Sequence, residues 1–328
     1  WISLIERLPK KIRTLPLLLF SVISLGWFVF KHKPQVLHMF LPLPYLVGSS
    51  AAIFTKVPFK IMSRRSRNFY MSKHKLAKHV EKFFQRKTDL VIANSKEVMT
   101  DLINEGFDLQ KLRLIYNGIK IEDKKTFHAI RRSKRIEMGL QENIVIIMIA
   151  NIYKYKGYAD AIEAVNFLPK EIKENVVIIA LGEDRGFKKE IDEMLLKLPQ
   201  VDLRFLGSVP DVIPYLAVSD IALLASHEEG FSNSILDYMN ASLPVVATRV
   251  GGNAEAIING TSGYIVPPQN SKEISKRLKD LCLSIDLRVS MGSNGRKDLE
   301  RYFSLERCLE EYTKLYSSLT KKSQTKER

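Results

Sequence analysis

Cysteine is nearly absent: the 328 residues hold two, Cys282 and Cys308. Neither a disulfide framework nor a cysteine-built zinc site can support the fold, and a reducing compartment is the simpler setting. Glycine and proline are modest at 16 and 13, which excludes fibrous and low-complexity architectures. No repeat of solenoid period is found, and the one biased segment is the Lys-rich end KKSQTKER, expected to be disordered. A membrane-spanning run is lacking as well. Leu15 to Phe30 is 16 residues without a charge, flanked by Lys10, Lys11 and Arg13 and by Lys31 and Lys33, whereas a spanning helix needs roughly 20. A buried or interfacial helix is expected there. A signal peptide is not, because no small-residue cleavage site accompanies the run.

Acid is scarce in one part only. Residues 1 to 140 hold 27 Lys/Arg against 10 Asp/Glu, a net of +17, while residues 141 to 328 hold 24 against 26. A basic part beside a near-neutral one suggests an anionic partner for the first, either nucleic acid or an acidic membrane surface. The length exceeds the usual single core, so two domains are expected.

Short apolar runs alternate with helical patterns, the sequence form of parallel βαβ units and an α/β fold. Strands are expected near Gln35–Met39, Pro58–Met62, Asp89–Ala93 and Leu112–Tyr116, with helices at Lys73–Arg86 and Ser95–Glu105 and Ser95 as N-cap. A polar, charged stretch to about Glu142 shows no alternation and is read as a linker. Beyond it come strands at Ile144–Ile149, Val176–Leu181, Val201–Leu206, Ile221–Leu224, Pro244–Ala247 and Tyr264–Val266. Their nearly continuous apolar character suits strands buried on both faces.

Open parallel sheets bind ligands at the carboxyl ends of their strands. Four such loops stand out. Lys154 and Lys156 precede Gly157, so an ammonium and helix-start N–H groups are available to a phosphate. Gly182 follows the second strand of this half, and Val209 lies in the turn after the third, where backbone groups can meet a base. The fourth loop, His227-Glu228-Glu229-Gly230-Phe231-Ser232-Asn233-Ser234, leads into a helix carrying Asp237. Glu229 and Asp237 bracket the helix start, and the small residues Gly230, Ser232 and Ser234 leave N–H groups open to an anion. In the first half, Arg64 and Arg65 follow a strand and can meet a phosphate; His38 ends another strand and is an acceptor-side candidate or a structural histidine.

The segment EGFSNSILDYMNASLPVVATRVGGNAEAI resembles the nucleotide-binding signature of the family 4 (group 1) glycosyltransferases, retaining enzymes of the GT-B fold. ANIYKYKG, VDLRFLGSVPDVIPYLAVSDIALLAS, DLVIANSKEV and KLRLIYNGI extend the likeness over roughly Pro34 to Leu319. The resemblance implies two Rossmann-like domains with parallel sheets facing across a cleft, the first incomplete, since the family's first strand and Gly-rich loop precede anything in this chain and it starts at Trp1. It implies an acceptor-side domain at 1–120, a linker at 121–142, a donor domain at 143–302, a C-terminal helix at 303–320 packing back toward the first domain, and a tail at 321–328. By motif position Lys156 matches the diphosphate-binding Lys, Glu229 the acid near the donor sugar, and Asp237 the acid that holds the ribose. Phe231 and Asn233 lie within the same backbone stretch. The family commonly has Glu where Asp237 stands, one methylene longer, and an Arg where Lys154 is the nearest cation.

The implied reaction is transfer of a sugar from a UDP- or GDP-linked donor to a lipid-linked or polysaccharide acceptor with retention. No metal or cofactor is expected, because Asp-x-Asp is absent. The charge suggests a cytoplasmic protein, peripheral on the inner face of the cell membrane. A GT-B nucleotide-sugar epimerase and a non-catalytic basic binding protein are the competing classes; no nucleic-acid-binding motif supports the latter's nucleic-acid form.

Overall fold

The computed structural model describes residues 10–40, 42–66 and 83–326. The chain divides into two compact units, Trp1–Tyr116 with Glu310–Arg328, and Asn117–Leu309.

The first unit is built on four parallel strands in the order β1 (Val36–Phe40), β2 (Phe59–Arg64), β3 (Leu90–Ala93) and β4 (Leu112–Leu114). Register places Met39 beside Met62, Ile61 beside Leu90 and Val91 beside Leu112. Met39, Met62 and Val91 share a buried cluster with Tyr45, Phe84, Val98 and Leu102. The last two come from the helix Lys96–Asn104, whose N-cap is Ser95: its Oγ accepts from the Val98 N–H at 3.1 Å. The helix expected at Lys73–Arg86 lies largely outside the described residues; 83–87 are helical. The uncharged run lies in the helix Lys10–His32, where Val29 is buried while Ile23 and Trp27 are 70 and 67 % exposed. Burial thus does not account for this face. No helix among the described residues is long and apolar enough to cross a membrane.

The second unit holds six parallel strands: β5 (Ile144–Ile149), β6 (Val176–Leu181), β7 (Asp202–Gly207), β8 (Ile221–Leu224), β9 (Val245–Thr248) and β10 (Gly263–Val266), in the order β10-β9-β8-β5-β6-β7. The chain runs outward from β5 to β7, then returns to β5's other side with β8. That reversal opens a crevice at the carboxyl ends of β5 and β8, where doubly wound sheets bind ligands. Strands β6, β8 and β9 are buried along their whole length. Ile162 and Val165 of the helix Tyr158–Asn166 and Ile274 and Leu278 of the helix Ser271–Leu283 pack in the same core as Ile146, Ile178 and Leu223.

Two expectations are corrected here. The stretch read as a linker contains the helix Lys124–Glu137, started by Asp123, whose carboxylate accepts from Lys125 N–H. Its cations are fastened to the second unit: Arg131 donates to the carbonyls of Ala217 and Ser219, Arg135 to that of Val218, and both reach Asp220. Six of its fourteen residues are Lys or Arg, so the stretch reads as polar although Phe127 is buried. Within the end expected to be disordered, residues 321–326 belong to the helix Leu305–Lys326; no glycine or proline interrupts it. Its start is tied to the second unit, Leu305 N–H donating to Ile119 O at 2.8 Å. From Glu310 onward the chain belongs to the first unit.

Candidate functional site

The crevice between β5 and β8 is lined by two loops held against each other. After β5 the chain makes a short turn at Lys154–Lys156, and Gly157, at φ 72°, starts the next helix. A Cβ at Gly157 would stand 2.0 Å from the Ala225 carbonyl oxygen, so only glycine lets the turn approach the end of β8 this closely. His227 N–H donates to Tyr155 O at 2.7 Å and fixes the same two loops from the other side.

Lys156 Nζ then lies 2.7 Å from Glu229 Oε1, with 18 and 11 % of the two side chains exposed. These two residues, singled out separately in the sequence, form one ion pair. Tyr155 covers it: the ammonium is 5.3 Å from the Tyr155 ring, which stacks on Tyr153. Burial, and next the Glu229 charge, pushes the Tyr155 phenol up from its ordinary pKa. The loop after β9 closes in behind. Gly252 N–H donates to Gly230 O at 2.6 Å, and a Cβ at Gly251 (φ 51°) would meet Glu229 O at 2.3 Å.

The helix Asn233–Asn240 follows directly. Ser232, its N-cap, makes no side-chain cap bond, and its first turn carries no acid. Ser234 instead donates to Ile149 O (2.6 Å) at the end of β5, and Asn233 accepts from Asn117 Nδ2 at 2.8 Å. The first turn keeps N–H groups that no side chain satisfies, beside a cation; such an end attracts anions. Gly230, Phe231 and Ser232 are buried, and Phe231 packs against Phe303 at 5.5 Å. Asp237, in the second turn, is half-buried and has no side-chain partner among the described residues. Burial pushes its carboxyl up to about 6.

Gly182 donates to Gly207 O at 2.8 Å, and its φ of 152° lets it pass Ala150 O, which a Cβ would meet at 2.2 Å. Its N–H is thus already engaged. Val209 is half-buried and Lys154 exposed, both at the same carboxyl edge. One residue of the fourth loop had no role in the sequence reading. His227 Nε2 lies 2.5 Å from Asp160 Oδ2, on the helix that begins just after Lys156, and its Nδ1 is 3.4 Å from Gln269 Nε2. The Asp160 carboxylate only accepts, so Nε2 carries the proton toward it. A histidine directly before two acids at a strand end was the available signal; its partner lies 67 positions away.

The acceptor-side candidates all lie in the first unit. Both nitrogens of His38 are engaged, Nε2 with Ser63 Oγ at 2.8 Å and Nδ1 with Tyr316 hydroxyl at 2.6 Å. Burial, reinforced by the Arg65 charge, pushes its pKa down to about 4. Arg64 is buried, pairs with Glu105 at 2.5 Å and faces the Phe107 ring. Arg65 lies over the Phe40 ring at 5.5 Å. Among the described residues no group of three or more His, Cys, Asp or Glu could hold a metal ion.

Comparison with known proteins follows the same division. The family described as Glycosyl transferases group 1 matches residues 130–298, and Glycosyltransferase Family 4 matches residues 2–123. The chain is 26 % identical over 309 residues to the capsular polysaccharide biosynthesis glycosyltransferase CapM of Staphylococcus aureus, covering 90 % of this chain and 80 % of that one. It is also 26 % identical over 245 residues to an uncharacterized glycosyltransferase, MJ1069, of Methanocaldococcus jannaschii, covering 74 % of this chain but 62 % of its relative. Against the N-acetyl-alpha-D-glucosaminyl L-malate synthase of Bacillus anthracis it spans 61 % of that protein's length. Among solved structures, Anabaena Alr3699/HepE in complex with UDP superposes with a TM-score of 0.82 at 20 % identity, over 90 % of this chain and 82 % of that one. Sucrose-phosphate synthase from Thermosynechococcus elongatus gives 0.79 at 19 %, over 91 % of this chain and 77 % of that one. At that identity the likeness concerns the fold, which is GT-B with its two parallel-sheet α/β domains.

Proposed function

This chain belongs to the group 1 glycosyl transferases, and from that premise we propose that it moves a sugar from a UDP-linked donor to a membrane-associated glycan or lipid-linked acceptor, with retention of configuration. The observation that carries the reading is the Lys156–Glu229 pair beside the uncapped helix start. Without donor, each residue neutralises the other. A donor diphosphate replaces Glu229 as the partner of Lys156 and accepts hydrogen bonds from the N–H groups near Ser232–Ser234. Glu229, released, accepts from hydroxyls of the donor sugar, and Asp237 accepts from the ribose.

In the transfer step the bond from the anomeric carbon to the diphosphate oxygen breaks, and a bond to the acceptor oxygen forms on the same face. The acceptor proton passes to the leaving diphosphate. Charge that develops on that diphosphate meets Lys156 and the helix N–H groups, which are already oriented and need little reorganisation. Glu229 orients the sugar and is no covalent nucleophile in this scheme.

UDP is preferred over GDP because Alr3699/HepE, the similar structure, holds UDP and, in another crystal, UDP-glucose. The acceptor class is supported by the role in CapM's name and by the +17 of residues 1 to 140. An inner-membrane-surface location is part of the same proposal, supported by that charge and by the exposed apolar residues of the helix Lys10–His32. Thermal-shift titration tests the donor site. UDP and UDP-sugars are expected to raise the melting temperature in a concentration-dependent way, and Lys156→Ala to abolish most of that rise. An unchanged rise in Lys156→Ala rules out the diphosphate assignment.

A further inference from the structure

A second cavity, of about 420 Å³, opens at the amino ends of β8 and β9, the opposite edge of the sheet from the candidate site. Its volume lies within the usual range of small-molecule pockets, roughly 300–1,000 Å³. Close packing shapes it. The helix Ile285–Tyr302 rests directly on the turn before β9, because a Cβ at Gly292 would stand 1.8 Å from Ser242 O. Ser242 adopts φ 56° there, and its hydroxyl is buried without a hydrogen-bond partner.

The walls have two characters. Phe127 and Leu243 form a buried apolar floor, and Val289, 64 % exposed, stands at the rim. Charge on the lining is one-sided. Lys124, Arg131 and Arg288 line it with a single carboxylate, Asp220, which Arg131 and Arg135 already neutralise at 2.5 and 3.2 Å. Arg288 is held in place through Nη1, which donates to Leu281 O at 2.7 Å and Cys282 O at 3.2 Å; its Nε and Nη2 hydrogens remain. Lys124 has no partner among the described residues. The cavity therefore sets more cations than carboxylates beside apolar surface.

We propose that this cavity binds an anionic amphiphile, a phosphate monoester of an apolar alcohol. A guanidinium fork and a lysine match phosphate oxygens. Phe127, Leu243 and Val289 supply the surface that a simple inorganic anion would leave wet. The inference is independent of the proposed sugar transfer, since no residue is shared with the crevice between β5 and β8.

Calorimetric titration with geranyl phosphate, geraniol and inorganic phosphate tests it on the full chain. Geranyl phosphate is expected to bind one to one, with geraniol and phosphate each at least about tenfold weaker, which corresponds to about 1.4 kcal/mol. Val289→Trp, which fills the cavity from its rim, and Lys124→Glu, which reverses one charge at an exposed site, should each weaken geranyl phosphate by about tenfold or more. Both should leave the melting temperature and the UDP-induced shift as in the wild type, which separates loss of this site from misfolding. Absence of saturable geranyl phosphate binding, equal binding of geraniol, or undiminished binding in Val289→Trp overturns the proposal.

Discussion

Asp237 illustrates how burial sets both stability and binding. Its pKa is raised from the ordinary 3.8 to about 6 in the folded chain, so the folded state holds the proton more tightly than the unfolded one. Stability from this group is present at acid pH and is lost as pH rises from about 4 through about 6. Asp237→Asn should therefore raise the melting temperature of the ligand-free protein above pH 6 and have no such effect below pH 4. In the proposed donor mode this carboxylate accepts from the ribose more strongly when ionised, so wild-type UDP affinity should fall as pH drops below about 6 and the Asn variant should be weaker and flat. Calorimetric binding between pH 5 and 8 checks both. For Lys156→Ala, kcat/KM is expected to fall by about 10²–10³, the usual size of one lost transition-state charge contact; steady-state kinetics with a UDP-sugar measures it. His227 acts at the same scale by joining two loops. Its partner Asp160 was not legible, because nothing in a linear pattern relates a strand-end histidine to a helix residue 67 positions earlier.

At the scale of elements, the loops around the crevice depend on glycines with positive φ. Gly157→Ala forces a Cβ onto Ala225 O and should cost about 1–3 kcal/mol in denaturant unfolding, with a larger loss of UDP binding than of fold, since the displaced turn carries Lys156. The helix Lys124–Glu137 is fastened by charge. Asp220 accepts from Val145 N–H and pairs with Arg131 and Arg135; Asp220→Ala leaves two guanidinium groups without their carboxylate and should destabilise the second unit by on the order of 3 kcal/mol, read from a urea melt. The ten strands of the described residues were legible as short apolar, β-branched runs, and Ser95 as a cap, because both signals are local. This helix was not: its face is set by carbonyls around residues 217–220, which the sequence reading could not place beside it.

For the whole molecule, each unit has its own sheet and its own buried core, and their charges differ. The first 140 residues carry +17, and in that part Ile23 and Trp27 expose apolar surface. Co-sedimentation with phosphatidylglycerol vesicles is expected, weakened by salt because screening shortens the reach of the charge, and reduced in an Ile23→Glu, Trp27→Glu variant. Equal recovery in the supernatant with anionic and neutral vesicles excludes the membrane reading. The sequence alone determined the α/β class, the strands, the charge division and the motif order that carries the family. Those are properties of composition and local spacing. Only the tertiary structure decided that Lys156 and Glu229, 73 positions apart, form one ion pair, because the sheet order sets β8 beside β5. It likewise committed Arg64 to Glu105, 41 positions away. A side chain's partner depends on which strand ends meet, and strand order is a property of the assembled sheet.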